Sequence, residues 1–446
     1  MRKQLWILIA CAVVITGARS YGEFEAPGLK WGGFVSLREG QIVKGETETV
    51  IKGDPKNVSV WVQEMNLGLS LEAKFSQIPA TGNIALEVAV NNDYSPAEGD
   101  LGQTRRLNFY PFIHRADLLI DLVDNGFLKM ILDAGYFPFK YNNSVRNLGE
   151  YLFRSGTYPQ YIINEVDFPM ARLMGLHLDG AIGEKFDFDV LLTTNIEWTA
   201  IGDVNLSGLF AWRPHPLLEI GLGGSWCSMI SVDLDYTTPP DTVGTHTRYK
   251  AKPSNRNDTA LYNYTFAGHK VMARMAFDLK QILPGKDVFG EEDLKLYTEA
   301  AILGVLDYPA SMDGKTNYDT LWQRIPVMVG LNIPTFKLLD VLSLEVEWFG
   351  NQYVNNLNPL IFDNQPVPLS SFQGETDVDN YRNKHDDDVK WSVHAKKTIA
   401  GNFYIMAQFA SDHIRWYRLD YTKMDGKEAL RGLDQWYYTF KFGYAF

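Results

Sequence analysis

From about residue 29 to the end of the chain, apolar and polar residues alternate. A period of two marks a strand whose two faces meet different surroundings. In KFDFDVLLTTNIEW, Phe186, Phe188, Val190, Leu192, Ile196 and Trp198 fall on one side, opposite Asp187, Asp189, Thr193, Asn195 and Glu197. LSLEVEWF sets Leu342, Leu344, Val346 and Trp348 against Ser343, Glu345 and Glu347. VKWSVHAK and GFLKMILDAGYF repeat the pattern. About sixteen such segments are expected, starting near 29, 58, 83, 106, 127, 170, 186, 203, 217, 268, 294, 324, 341, 388, 402 and 433. Fourteen and eighteen are the alternative counts. Links after odd-numbered segments are mostly long: 44–57, 94–105, 140–169, 234–267, 309–323, 355–387 and 419–432, with a short exception near 199–202. Links after even-numbered segments are short, such as Asp124-Asn125-Gly126 and Gly183-Glu184-Lys185, although 283–293 is longer. Long connections at one end and short ones at the other predict an all-β, closed, antiparallel up-and-down transmembrane barrel.

The polar face decides between membrane and water. It carries Glu72, Lys74, Arg115, Asp117, Asp121, Asp187, Asp189, Arg274, Asp278, Glu299, Glu345 and Lys390. A closed barrel in water would turn these charges outward and bury its apolar face. Sixteen strands enclose a space too wide for side chains to fill. The interior is therefore expected to hold water, and the apolar face to meet lipid. Closure also leaves no unpaired backbone amide in hydrocarbon, where each would cost several kcal/mol. The soluble alternative is a pair of packed β domains.

The N-terminus modifies the picture. MRKQLWILIACAVVITGARS has a basic start at Arg2 and Lys3, an apolar stretch from Leu5 to Ile15, and Ala18-Arg19-Ser20. This predicts a secretory signal peptide over 1–20, cut after Ser20, with 21–446 as a single domain. Leu8-Ile9-Ala10-Cys11 also resembles a lipobox, but the apolar run continues past Cys11. One cysteine, Cys227, lies beyond the leader, so no intramolecular disulfide is expected in the exported protein. The whole chain carries a formal charge of −12. Loss of Arg2, Lys3 and Arg19 takes this to about −15, which argues against a nucleic-acid partner.

The chain ends WYYTFKFGYAF, with Trp436, Tyr438, Phe440, Phe442, Tyr444 and Phe446 on one face and Tyr437, Thr439, Lys441 and Gly443 on the other. Rings at both ends of a strand suit the aromatic girdles of a membrane barrel. Tyr438, Phe440, Phe442, Tyr444 and the terminal Phe446 resemble the C-terminal signal of Gram-negative outer-membrane proteins. That resemblance implies recognition by the barrel-assembly machinery and contact with outer-membrane lipid and lipopolysaccharide. With its strand number and no room for an N-terminal plug, the chain also resembles the general and substrate-selective porins. This likeness of architecture implies a passive channel for small hydrophilic solutes, commonly a homotrimer. The alternatives are a surface adhesion barrel acting through its long loops and an outer-membrane hydrolase.

Residues 140–169 are the candidate constriction loop, folding into the lumen. Ser144 is placed to cap a short helix from Val145 to Ser155, ended by Gly156 and Pro159. Leu148, Tyr151 and Leu152 form its apolar face, and Arg146, Glu150 and Arg154 a neighbouring row. Arg146, Glu150, Tyr151 and Arg154 are thus the expected constriction residues, since fixed charges in a narrow passage select ions and solutes. The two arginines are expected to face acids of a lumen wall made of Arg115, Asp117, Asp121, Asp187 and Asp189. A surface salt-bridge ladder is the plainer account of the Arg-Glu-Arg row. Tyr236, Tyr249, Tyr262, Tyr264 and Tyr381 suit sugar stacking, and His385 to Asp388 calcium, but solvated loop residues explain both. No catalytic motif is present. His177 and Asp179 share the lumen face without a serine partner. No cofactor and no metal are expected.

Overall fold

The computed structural model describes residues 28–44, 61–93, 106–155, 158–159, 171–194, 204–230, 268–305, 321–350, 388–413, 430 and 432–446. The leader expected at 1–20 and much of the long connections lie outside the described residues. The strands are β1 Gly28–Lys44, β2 Trp61–Lys74, β3 Ala80–Asp93, β4 Arg106–Asp124, β5 Leu128–Phe139, β6 Arg154–Ser155, β7 Tyr158–Pro159, β8 Ala171–Ile182 and β9 Phe186–Thr194. They continue with β10 Val204–His215, β11 Leu218–Ile230, β12 Gly268–Asp278, β13 Lys295–Ile302, β14 Val327–Asn332, β15 Val341–Trp348, β16 Val389–Ile399, β17 Phe403–Ser411 and β18 Trp436–Ala445. All but β6 and β7 join one closed antiparallel barrel, each strand paired with its sequence neighbours. The ring has sixteen strands. Each expected segment start falls within three residues of an observed strand start.

Closure is made by β1 on β18, with Val35 opposite Tyr444 and Leu37 opposite Phe442. Gly33 and Phe446 exchange both backbone hydrogen bonds at 2.9 Å. The last residues are thus stitched into the ring, which has no open edge.

The polarity is inverted. On β9, Val190 and Leu192 are exposed, while the alternate residues Leu191 and Thr193 are buried. Asp187 faces inward and pairs with Arg213 of β10. Leu67, Leu222, Val271, Val329 and Val346 are likewise exposed on other strands. At the C-terminus, Phe440, Phe442, Tyr444 and Phe446 face out while Tyr437 and Thr439 are buried inside. Among the described residues no helix is long and apolar enough to cross a membrane; an outward apolar face is what a membrane-crossing barrel would present to lipid. An arginine on the outer face must leave water for hydrocarbon. The Leu222→Arg variant, at a position 56% exposed on β11, is therefore expected to lose about 2–4 kcal/mol if it sits near the bilayer midplane. The measurement is the shift of its denaturant unfolding curve in lipid vesicles.

One expectation is corrected. The lumen is not all water. Phe137, Phe139, Leu173, Leu191, Leu209, Met272, Tyr297 and Met328 of the wall pack with Val145, Leu148, Tyr151, Leu152 and Phe153 into one buried apolar cluster. The cause is the connection after β5, which lies inside the barrel.

Candidate functional site: a segment packed across the lumen

The wall strands set out a charged row before the segment arrives. Direct cross-strand pairing aligns Arg274 of β12 with Glu299 of β13. Glu299 faces Met328 of β14. Met328 faces Glu347 of β15, and Glu347 faces Lys390 of β16. Glu345 lies one inward position along β15. Glu299, Glu345, Glu347 and Lys390 are all 0% exposed. Carboxylates so deeply buried need donors on most of their lone pairs.

Residues 140–153 supply those donors. They leave β5 and reach β15, which is the eighth strand from β5 whichever way the ring is followed. The segment therefore spans the lumen. Glu345 accepts the backbone N–H of Arg146, of Asn147 at 2.8 Å and of Leu148 at 2.9 Å. The Tyr297 hydroxyl donates to it at 2.8 Å. Three successive amides converging on one carboxylate form an anion nest. Glu299 accepts the Tyr141 hydroxyl at 2.6 Å, the Asn142 side-chain amide at 2.8 Å and the Tyr151 N–H at 2.9 Å. Glu347 accepts the Tyr151 hydroxyl at 2.7 Å and pairs with His413 at 2.6 Å. The Asn147 side chain donates to Asp412, which also accepts the Tyr437 hydroxyl at 2.7 Å.

This bonding replaces the expected helix over 145–155. Amides that would point back along a helix are used by Glu345 instead. Only one turn of 3-10 helix forms, Tyr151–Phe153. The Asn142 side chain accepts the Ser144 N–H, so Asn142 rather than Ser144 organises the first turn. Gly149 and Glu150 both take left-handed backbone, with φ of 96° and 61°, which reverses the chain. Beyond the turn, Arg154–Ser155 pairs with Tyr158–Pro159 as a two-stranded ribbon.

The four expected constriction residues therefore separate. Arg146 reaches Glu292 at 2.6 Å with a side chain 15% exposed. Glu150 and Tyr151 are buried, so they fix the segment and present no free group to lumen water. Arg154 is placed by its backbone alone. The five wall residues also find other partners than expected. Asp117 is held by Arg115 and, at 2.8 Å, by Asn83. Asp187 pairs with Arg213. Asp189 meets His177 at 2.8 Å, and His177 packs on Phe137 and Phe139. Asp121 is exposed at the end of β4. The wall acids are answered by wall bases, not by arginines of the segment. Glu299, Glu345 and Glu347 are the anchors, and sequence reading placed them on the inner face without linking them to the connection. Most of the tyrosine-bearing and acidic loop residues lie outside the described residues.

Glu150 makes the dock sensitive to pH. It accepts the N–H of Asn142 at 2.5 Å and of Tyr141 at 3.4 Å. Burial, and then the charge of Glu299, push its carboxyl from 4.5 to about 8. The folded segment thus binds a proton that the released segment gives up. Its stabilising effect is complete below pH 4.5 and is lost as pH rises through about 8. Single-channel current noise is expected to grow as pH rises from 4.5 towards about 8 and to level off above it, and to stay flat with pH in Glu150→Gln.

No family model matches the sequence, and no curated protein does. Among solved structures, the chain is similar to a triple mutant of the Rhodopseudomonas blastica porin, at 6% identity and a TM-score of 0.42 over 94% of this chain and 100% of that one. It is similar also to Salmonella typhi OmpF in complex with daunomycin, at 9% identity and a TM-score of 0.46 over 94% of this chain and 98% of that one. The architecture is porin-like: a closed sixteen-strand barrel. The ring closure and the strand register carry that statement.

Proposed function

We propose that the protein is an outer-membrane channel for passive diffusion of small hydrophilic solutes or ions. The observation that carries this is the connection after β5, fixed across the lumen by Glu299, Glu345 and Glu347. This barrel lines its inner face with charge and lays a segment across the lumen. The inner face of the wall carries both signs of charge. Lys396, Lys441 and Arg38 line β16, β18 and β1, while Asp179 and Asp189 lie across the ring on β8 and β9. Arg146 of the segment pairs with Glu292 of the connection between β12 and β13, and Arg154 follows in the chain. A solute crossing between such walls is sorted by size and charge, and no chemical step is needed.

Recognition of the terminal rings by the assembly machinery, contact with lipopolysaccharide, and trimer formation belong to the same proposal. The test is reconstitution in planar bilayers. Discrete, ohmic conductance steps are expected, with an ion preference measurable as a reversal potential across a salt gradient. Protein that inserts without steps would refute the channel and favour the adhesion reading.

A further inference from the structure

We propose that the connections 279–294 and 333–340 form one rigid apolar shelf that seats in the membrane interface against phospholipid. This rests on the reading that the barrel spans a membrane. The wall formed by β13, β14 and β15 is low. These strands have 8, 6 and 8 residues, against 17 and 19 for β1 and β4. Six residues extend only about 20 Å along a strand, and tilt shortens this further, below an apolar band of about 25 Å. Something else must complete the greasy surface on this side. The outward row Val329 and Leu331 on β14 is exposed and continues through exposed Ile333 into the second connection. There Phe336 is 62% and Leu338 75% exposed. The first connection adds Ile282, Leu283 and Val288, all exposed.

The two connections are braced into one body. Asp293 is 1% exposed. It accepts the Gly290 N–H at 2.8 Å from its own connection. From the other it accepts the Thr335 N–H at 3.1 Å, the Thr335 hydroxyl at 3.2 Å and the Phe336 N–H at 3.0 Å. The rings of Phe289 and Phe336 stack at 5.5 Å. Lys397 of β16 donates to the Lys337 carbonyl at 3.0 Å. Phe336 and Lys337 are both held in left-handed backbone, at φ of 53° and 68°. That conformation is strained for side chains of their size. A strained, cross-braced turn that projects a phenylalanine and a leucine is built to present them. Continuity with the lipid-facing band identifies lipid as what they meet. The exposed ammonium groups of Lys286 and Lys337 suit the phosphate level of that boundary.

The test uses nitroxide labels on the full chain, with Cys11→Ser and Cys227→Ser, in vesicles of phosphatidylethanolamine and phosphatidylglycerol. Labels are placed singly through Leu338→Cys and Phe336→Cys. Val329→Cys gives the lipid reference, and Lys185→Cys, in a short turn at the same end, gives the aqueous one. Both shelf labels are expected to collide with oxygen in preference to a water-soluble nickel chelate, as at Val329. Shelf labels that behave like Lys185 while Val329 remains in lipid would overturn the shelf and leave the barrel intact. In that case a soluble partner becomes the occupant. If Val329 is also in water, the membrane reading itself fails.

Discussion

Glu345→Ala is expected to raise single-channel conductance and make it noisy. The alanine leaves the N–H groups of Arg146, Asn147 and Leu148 and the Tyr297 hydroxyl without their acceptor. A buried donor stripped of its partner costs about 1–3 kcal/mol, and these four are not additive because they share one carboxylate. Loss of one partner from a buried charged network costs on the order of 3–5 kcal/mol. That is enough to populate a state in which the segment leaves the wall. The passage then widens, and Arg146 becomes accessible to trypsin. Glu345→Gln retains an acceptor for part of the nest and is expected to show about half the effect. The barrel itself should unfold at nearly the same denaturant concentration in both variants, because the strand ladders are untouched. Unchanged conductance together with continued protection at Arg146 would remove the segment from the permeation path.

The expected barrel followed from one simple rule, repeated. Alternation on each strand, loop lengths and terminal rings all report local facts, and sixteen of them agree with one closed ring. The constriction was legible only as a location. The connection after β5 stood out because Leu148, Tyr151 and Leu152 needed an apolar partner, and they have one. Its conformation was not legible. A helix over 145–155 is reasonable for a free segment, but Glu345 outbids the helix for three amides, and it lies about two hundred positions later in the chain. Local sequence cannot report a long-range acceptor. The same distance hid the partners of Asp117, Asp187 and Asp189, which depend on strand register. LSLEVEWF did carry a signal. Glu345 and Glu347 sit two apart on a strand whose inner face also holds Ser343, and paired carboxylates on a lumen wall require donors from somewhere. The long inward connection is the natural supplier.

Gly175→Ala is expected to have the largest effect on folding. Gly175 of β8 lies directly opposite Gly135 of β5, and the two have φ of 154° and 142°. Only glycine adopts such backbone readily, and other residues pay about 1–3 kcal/mol. Space is equally unforgiving. A methyl group at 175 would lie 2.1 Å from the Leu192 carbonyl oxygen and 2.8 Å from the Thr193 Cα. At 135 it would lie 2.3 Å from the Ala116 carbonyl oxygen. Both obstacles are backbone in the neighbouring strand, so neither can rotate away. The cost of strain and clash together is on the order of 4 kcal/mol or more. The pair lies two positions from Phe137 and Leu173, which face each other and pack against the segment. Gly175→Ala should therefore fail to assemble in vesicles. Gly183→Ala, in an open turn where an added methyl meets nothing within 4 Å, should cost only the left-handed backbone term of about 1 kcal/mol. Equal folding yields for the two variants would show that the β5–β8 wall relaxes around position 175, and that the glycine backbone there is not required.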